Sequence, residues 1–232
     1  MKWLSSEIKA LSSILYQIQT DLEPLDGKSI LVLCSAAGEI PFWFAEKMTH
    51  GHILGVELNS ELLEASQRSA EEKHLTHLTE FRRTEKTHLP VQDCSFDGLV
   101  SEFIIFPTPT PTQIGQPEMA RVLKPGGKMV ITDVILTVSI TPETREALNS
   151  IGLDYLCEGT ADDFRYWMQE AGLTDIDVQD VTSVVRRVWQ QRRRLDLSPD
   201  HRLGYSLLLE DSPVKLGEGL HYIYVQGTKP EI

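Results

Sequence analysis

Several residues in the first half of the chain have the types and spacing of a nucleotide-binding edge. The segment SILVLCSAAGEIPFWFA, Ser29 to Ala45, is an apolar run followed by a turn of small side chains, Ser35, Ala36, Ala37 and Gly38, and then a helical pattern. Small side chains let backbone N–H groups come close to a bound nucleoside, and the positive end of the next helix favours its polar parts. Nineteen residues after Gly38, a second run ends in GVELN, which places Glu57 and Leu58 at a strand end. A carboxylate there can accept hydrogen bonds from both hydroxyls of a ribose. Nicotinamide dinucleotides use the same device, so these features alone leave NAD and other nucleosides open, beside the plain alternative of an ordinary turn and an exposed glutamate. A third run, SFDGLVSEF, closes on Glu102 and Phe103, at the edge where open α/β sheets bind ligands.

No catalytic residue declares itself. Glu102, or His221 in LHYIYVQ, could take a proton from an acceptor, although a lone histidine on a strand reads as structural or exposed. His74 and His77 have no cluster of ligating neighbours, and no metal site is expected. Cys34, Cys94 and Cys157 are odd in number and lack CxxC spacing, which suggests neither a disulfide framework nor zinc.

These residues must be held by alternating elements. Short apolar runs predict strands near Ser29 to Leu33, His52 to Glu57, Glu80 to Arg83, Gly98 to Phe103, Lys128 to Ile135, Asp175 to Val181 and Leu220 to Gln226, with helical periodicity between them. The fold class is therefore α/β, a Rossmann-like doubly wound sheet of seven strands. Pro41 in a first turn, Ser60 before Glu61, and Thr160 with Asp163 as a capping box mark helix starts, and Gly172 marks an end. Leu4, Ile8, Leu11, Leu15, Ile18 and Leu22 line one side of an N-terminal helix ended by Pro24, packed on the core or over the cofactor cleft, with a dimer seam as the alternative. The four prolines of Phe106 to Pro117 require an extended loop after the fourth strand.

At 232 residues and 41% hydrophobic content, one domain is expected. A formal charge of −12 argues against a nucleic-acid partner. Ser183 to Gly204 departs from that balance, with six arginines (186, 187, 192, 193, 194 and 202) against two aspartates, read as a solvated helix face or as a wall for an anionic acceptor. Glu7, Lys9 and Gln17 interrupt any targeting or membrane segment at the N-terminus, so a cytoplasmic protein with no membrane partner is expected.

The segment PEMARVLKPGGKMVITD, Pro117 to Asp133, reads helix, turn, strand: Met119, Val122 and Leu123 form an apolar stripe, Pro125 stops it, Gly126 and Gly127 permit a tight turn, and Met129 to Ile131 begin a strand. It resembles the helix-to-fifth-strand junction of class I S-adenosylmethionine-dependent methyltransferases, especially the quinone-biosynthesis and arsenite methyltransferase-like groups. TEKTHLPVQDCSFDGLVSEF, Thr84 to Phe103, is similar to the same family from the end of its third strand through its fourth. LHYIYVQGTKP resembles its closing antiparallel strand. In place of the family's strand-one acid and first two turn glycines stand Val32, Cys34 and Ala36.

The resemblance implies S-adenosylmethionine as cofactor, held by Ser35, Ala36, Ala37, Gly38, Glu57, Leu58, Glu85, Glu102 and Phe103, with Glu85 at the adenine amino group. It implies methyl transfer to a small-molecule acceptor by in-line displacement, in a monomer or homodimer. The expected organisation is a single domain: an N-terminal helix over 1–26, a cofactor-binding core over 27–182, a helical insertion or lid over 183–219, and a last strand and tail over 220–232. Cys157 stands where arsenite methyltransferase-like proteins carry a cysteine, with a buried structural role as the competing reading. A cofactor-binding protein without catalysis is one alternative. A nicotinamide-dependent oxidoreductase is another, although no Tyr-x-x-x-Lys pair is present.

Overall fold

Strand β1 (Ser29–Leu33) buries Ile30, Leu31, Val32 and Leu33 in succession, as a parallel strand covered on both faces must. The structure is a computed structural model that describes residues 8–33, 39–57, 60–84, 88–102, 115–139, 141–143, 145–146, 157–184 and 219–231. Two strands flank β1 in parallel register, β2 (His52–Glu57) and β4 (Phe96–Glu102). β3 (Thr79–Arg83) continues the sheet beyond β2, and β5 (Leu123–Leu136) continues it beyond β4. β8 (Leu220–Thr228) lies antiparallel between β5 and β7 (Thr174–Asp180).

The resulting order, β3-β2-β1-β4-β5-β8-β7, is the expected mostly parallel sheet with an antiparallel last strand. One strand was not foreseen. β4 ends opposite Thr132, so the edge of β5 beyond it is free to pair with a two-residue β6 (Cys157–Glu158) at Ile135 and Leu136.

Helices cover both faces. Against one face, α1 (Ile8–Leu22) and α2 (Glu39–Ala45) bury Ile18, Leu22, Ile40 and Phe44 on Ile30, Val32, Val100 and Val130. On the other, α4 (Gln116–Val122) and α5 (Ala161–Glu170) bury Met119, Val122, Phe164 and Met168 on Leu31, Leu99, Met129 and Ile131. α3 (Ser60–Glu72) sets Ala70 against Phe42 and Phe81. The N-terminal helix takes the core-packed alternative: beyond its buried leucine and isoleucine, Asp21 accepts a hydrogen bond from the Tyr224 hydroxyl, and Gln17 donates to Gln179 at 3.2 Å. Burial first, and then the Asp21 carboxylate, push the Tyr224 phenol above its ordinary range.

The helix, turn and strand of residues 117–133 form as expected, with shifted boundaries. α4 ends at Val122 and Leu123 is already extended, so Pro125 sits in the turn rather than at the helix end. Pairing of β5 with β4 begins at Phe96 and Leu123, is interrupted, and resumes at Gly98 and Lys128. Gly126 takes φ +75°, and a Cβ on Gly127 would lie 2.8 Å from the Lys124 carbonyl oxygen, so a side chain is excluded there. Lys229, just past β8, donates to the Ala120 and Leu123 carbonyls at 2.9 and 2.7 Å, filling helix-end acceptors that would otherwise be bare. The capping box of α5 is present, with Thr160 and Asp163 bonding reciprocally, and Gly172 takes φ +83° after the helix.

The small-residue turn Cys34–Gly38, most of the proline-rich loop (103–114), and the arginine-rich segment from 185 to 218 lie outside the described residues. Among the described residues no helix is long and apolar enough to cross a membrane.

Candidate functional site

The sheet reverses its winding at β1, whose neighbours β2 and β4 lead to opposite edges, and such a point opens a crevice at the carboxyl ends of the strands. Glu57 is the last residue of β2 and is 1% exposed. A charged side chain buried to that degree is costly unless it is held by partners, so this is no ordinary exposed strand-end glutamate. Its carbonyl accepts the Thr84 N–H at 2.9 Å, and the Thr84 hydroxyl donates to the His88 carbonyl at 3.1 Å. Both ends of the short 85–87 segment are thereby pinned beside Glu57. Glu85 itself falls in that segment, outside the described residues.

Glu102 is the last residue of β4 and pairs with Thr132 of β5; its side chain is not among those described. Ser35, Ala36, Ala37, Gly38, Leu58 and Phe103 are likewise outside the described residues. The backbone therefore brings Glu57 and Glu102 to one edge, on the two sides of β1.

Among the described residues, three buried polar atoms at this edge have no hydrogen-bond partner: Ser101 Oγ on β4, Thr132 Oγ1 on β5, and Gln116 Nε2 on the first turn of α4. An unpaired buried polar atom costs about 1–3 kcal/mol, and native proteins keep few of them. Other such atoms, Gln19 Oε1, Trp43 Nε1 and Ser66 Oγ, lie on α1, α2 and α3; the three at this edge, together with a buried carboxylate at the end of β2, fit an edge built to receive a polar ligand such as a nucleoside.

A network unforeseen from the sequence supports the crevice from below. Arg121 on α4 donates to Glu118 through Nε and Nη2, both at 2.7 Å, to the Val91 and Leu89 carbonyls at 3.1 and 3.3 Å, and to Asp93. Glu118 accepts the Leu89 N–H at 2.7 Å and lies 2.9 Å from His88 Nδ1. Burial would raise the Glu118 carboxyl, but its bonds from Arg121 and Leu89 outweigh that and hold it below its ordinary range. The bonds with Glu118 in turn push the Arg121 guanidinium up. The chain that follows the Glu85 segment is thus clamped to α4. The signal was available as an acidic and a basic residue three apart in PEMARV.

Asp97 plays a comparable part at the opposite edge. Its carboxylate accepts the Ser29 N–H at 2.8 Å and the Lys124 ammonium at 2.8 and 2.9 Å, tying the starts of β1 and β4 to the turn before β5. His74 and His77 are exposed, and Cys94 is exposed in a turn at φ +50°. Among the described residues no group of three or more His, Cys, Asp and Glu is placed to hold a metal ion.

This sheet order, wound on both sides and closed by an antiparallel strand, is a Rossmann-like α/β fold. Solved structures share it. The [4+2]-cyclase SpnF aligns with a TM-score of 0.72 and 19% identity over 99% of this chain and 87% of its own. The Haemonchus contortus phosphoethanolamine N-methyltransferase 2, solved with S-adenosyl-L-methionine, aligns with a TM-score of 0.75 and 16% identity over 94% of this chain and 53% of its own.

Residues 31–131 match the methyltransferase domain family. Among curated relatives, the arsenite methyltransferase of Halobacterium salinarum is 28% identical over 66% of this chain and 39% of its own length. The ubiquinone/menaquinone biosynthesis C-methyltransferase UbiE of Ruegeria sp. is 30% identical over 48% of this chain and 44% of its own. The chain thus spans less than half the length of these two relatives.

Proposed function

We propose that this chain transfers a methyl group from S-adenosylmethionine to a small-molecule acceptor by in-line displacement. The observation that carries the reading is Glu57, a carboxylate buried at the end of β2 beside the switch point of a methyltransferase-domain sheet. Glu57 would accept the two ribose hydroxyls, and the backbone of Ser35, Ala36, Ala37 and Gly38 would approach the cofactor's amino-acid portion. Leu58 and Glu85 would flank the adenine, with Glu85 accepting from its amino group. Glu102 and Phe103 would complete the cofactor site at the end of β4. The bound cofactor supplies a methyl already activated by a sulfonium leaving group, which leaves the protein mainly to align the acceptor and exclude water. The remaining organisation follows the sequence reading, with one domain over 1–232 and the 183–219 segment covering the acceptor side.

Calorimetric titration with S-adenosylmethionine, S-adenosylhomocysteine and NAD tests this. Both sulfur ligands should bind and NAD should not. Glu57→Ala should weaken S-adenosylmethionine by about 1–3 kcal/mol, the range for losing hydrogen bonds to a charged group. NAD binding without response to either sulfur ligand would defeat the proposal, and unchanged affinity in the Glu57 variant would show the ribose to lie elsewhere.

A further inference from the structure

On the sheet face covered by α4 and α5, the apolar stripe gives way at the carboxyl edge to polar side chains as buried as the core. Ser101 is two residues beyond Leu99 on β4, Asp133 is two beyond Ile131 on β5, and Gln116 is three before Met119 on α4, so each continues the face that packs there. They are 0%, 2% and 1% exposed. Thr132, by the same alternation, belongs with Val130 to the opposite face.

Register brings the three to one place. Ser101 lies opposite Leu33, the last residue of β1, and opposite Ile131. β4 ends at Glu102 opposite Thr132, so Asp133 is the first residue of β5 beyond that end. One strand across and two residues along put the Ser101 and Asp133 Cα atoms about 8 Å apart, room for one small polar head between the side chains. α4 runs back from this edge to Leu123, which pairs with Phe96 at the start of β4, so Gln116, its first residue, is at the carboxyl end.

The three side chains ask for different things. Gln116 Nε2 can only donate, the Ser101 hydroxyl has a proton to give, and neither has a partner among the described residues. Both call for an acceptor. Asp133 is engaged within the protein, but a carboxylate has about four lone-pair positions and can accept a further, positively charged donor. A lone anion would be repelled by Asp133, and a lone cation would leave Gln116 unmet. A carboxylate and an ammonium side by side satisfy all three and bring no net charge into a buried place.

We propose that Ser101, Gln116 and Asp133 form a subsite for an α-amino acid group, whose carboxylate accepts from Gln116 and Ser101 and whose ammonium donates to Asp133. Two ligands carry that group. One is the methionyl end of S-adenosylmethionine, since Ser101 stands two strands from Glu57, about 10 Å along the edge; this source rests on the methyltransferase reading above. The other is a free α-amino acid bound beside the cofactor.

The test is calorimetric titration of the full chain with S-adenosylhomocysteine, with 5′-methylthioadenosine, which has the same adenine, ribose and sulfur but no amino acid group, and with glycine added to protein saturated with S-adenosylhomocysteine. Gln116→Leu and Asp133→Asn are compared with wild type. If the cofactor is the source, both should weaken S-adenosylhomocysteine by about 10–100-fold, the effect of losing hydrogen bonds to a charged group, and leave 5′-methylthioadenosine within about twofold. If a free amino acid is the source, glycine should bind the saturated wild type and be lost in both variants, with S-adenosylhomocysteine unchanged.

An equal loss of both nucleosides would show that the variants disturb the whole edge, and overturns the subsite. So does unchanged S-adenosylhomocysteine in both variants together with no glycine binding, which leaves the three side chains to internal water. A wild-type chain that binds neither nucleoside would instead defeat the methyltransferase reading. Glycine titrated against that free protein, and lost in both variants, would still carry the subsite, and its failure to bind would overturn it.

Discussion

The two edges of the sheet treat their polar groups in opposite ways. At the amino edge Asp97 joins Ser29 to Lys124 and Lys229 closes the end of α4, so that these groups are matched one to another, with Gln19 Oε1 near the end of α1 as a buried exception. At the carboxyl edge Ser101, Thr132 and Gln116 keep buried polar atoms without partners. Both edges are cut from the same strands and share the same core, so the difference is not one of packing quality. It separates an edge that completes the fold from one that keeps buried polar groups unpaired, and a protein tolerates such a deficit mainly where function requires it.

Stability measurements on variants of each edge can break or sharpen this contrast. The largest effect is expected at the clamp joining α4 to residues 88–93. Arg121→Ala strands the Glu118 carboxylate, 16% exposed, along with two backbone carbonyls, and should cost about 2–4 kcal/mol by denaturant unfolding, somewhat less than a fully buried pair because both partners touch solvent. A loss under 1 kcal/mol would mean the clamp is ornamental.

Asp97→Asn should cost about 1–2 kcal/mol at neutral pH. Burial raises the Asp97 carboxyl, but the Lys124 and Ser29 hydrogen bonds more than offset this, so its folded pKa lies below the ordinary 3.8. Stability from a lowered carboxylate is complete above the unfolded value and is lost as pH falls through the folded one. The gap between wild type and Asp97→Asn should therefore narrow on acidification below pH 3.8; a gap that persists there would remove charge as the cause.

The smallest effects, and of the opposite sign, belong to the carboxyl edge. Ser101→Ala and Thr132→Val each delete an orphaned hydroxyl at little change in shape and should leave the ligand-free protein unchanged or up to about 1 kcal/mol more stable. Destabilisation of either variant by more than that would show these hydroxyls to be structural and erase the contrast.

Much of the frame could be read from the sequence because it is encoded locally. Buried parallel strands are written as continuous apolar runs, and Thr160 with Asp163, or Gly126 with Gly127, specify their cap and turn within a few residues. What escaped was decided by distant partners. β6 exists because β5 overruns β4, a mismatch between strands that neither sequence states. The exchange of hydrogen bonds between Arg121 and residues 89–93 crosses from a helix to a loop.

The candidate site divides in the same way. Glu57 was legible from its spacing after Gly38, and the structure adds its burial. His221 has a partner that was invisible, because Asp180, 2.8 Å from its Nδ1, lies 41 residues earlier and meets it only through antiparallel pairing. The orphaned Ser101, Thr132 and Gln116 gave no sign at all, since a missing partner leaves no pattern in sequence.

The long ladder between β5 and β8 also sets the order of events during synthesis. Roughly 80 residues separate Leu136 from Leu220, its first partner on β8. At about 5–20 residues per second, the apolar edge of β5 waits on the order of ten seconds on the ribosome before its mate emerges. Throughout that interval it offers unpaired backbone to any neighbouring nascent chain, so β5 is where molecular chaperones should be engaged first. Lys229 follows β8 directly, and its ammonium seals helix α4 only once the sheet has closed.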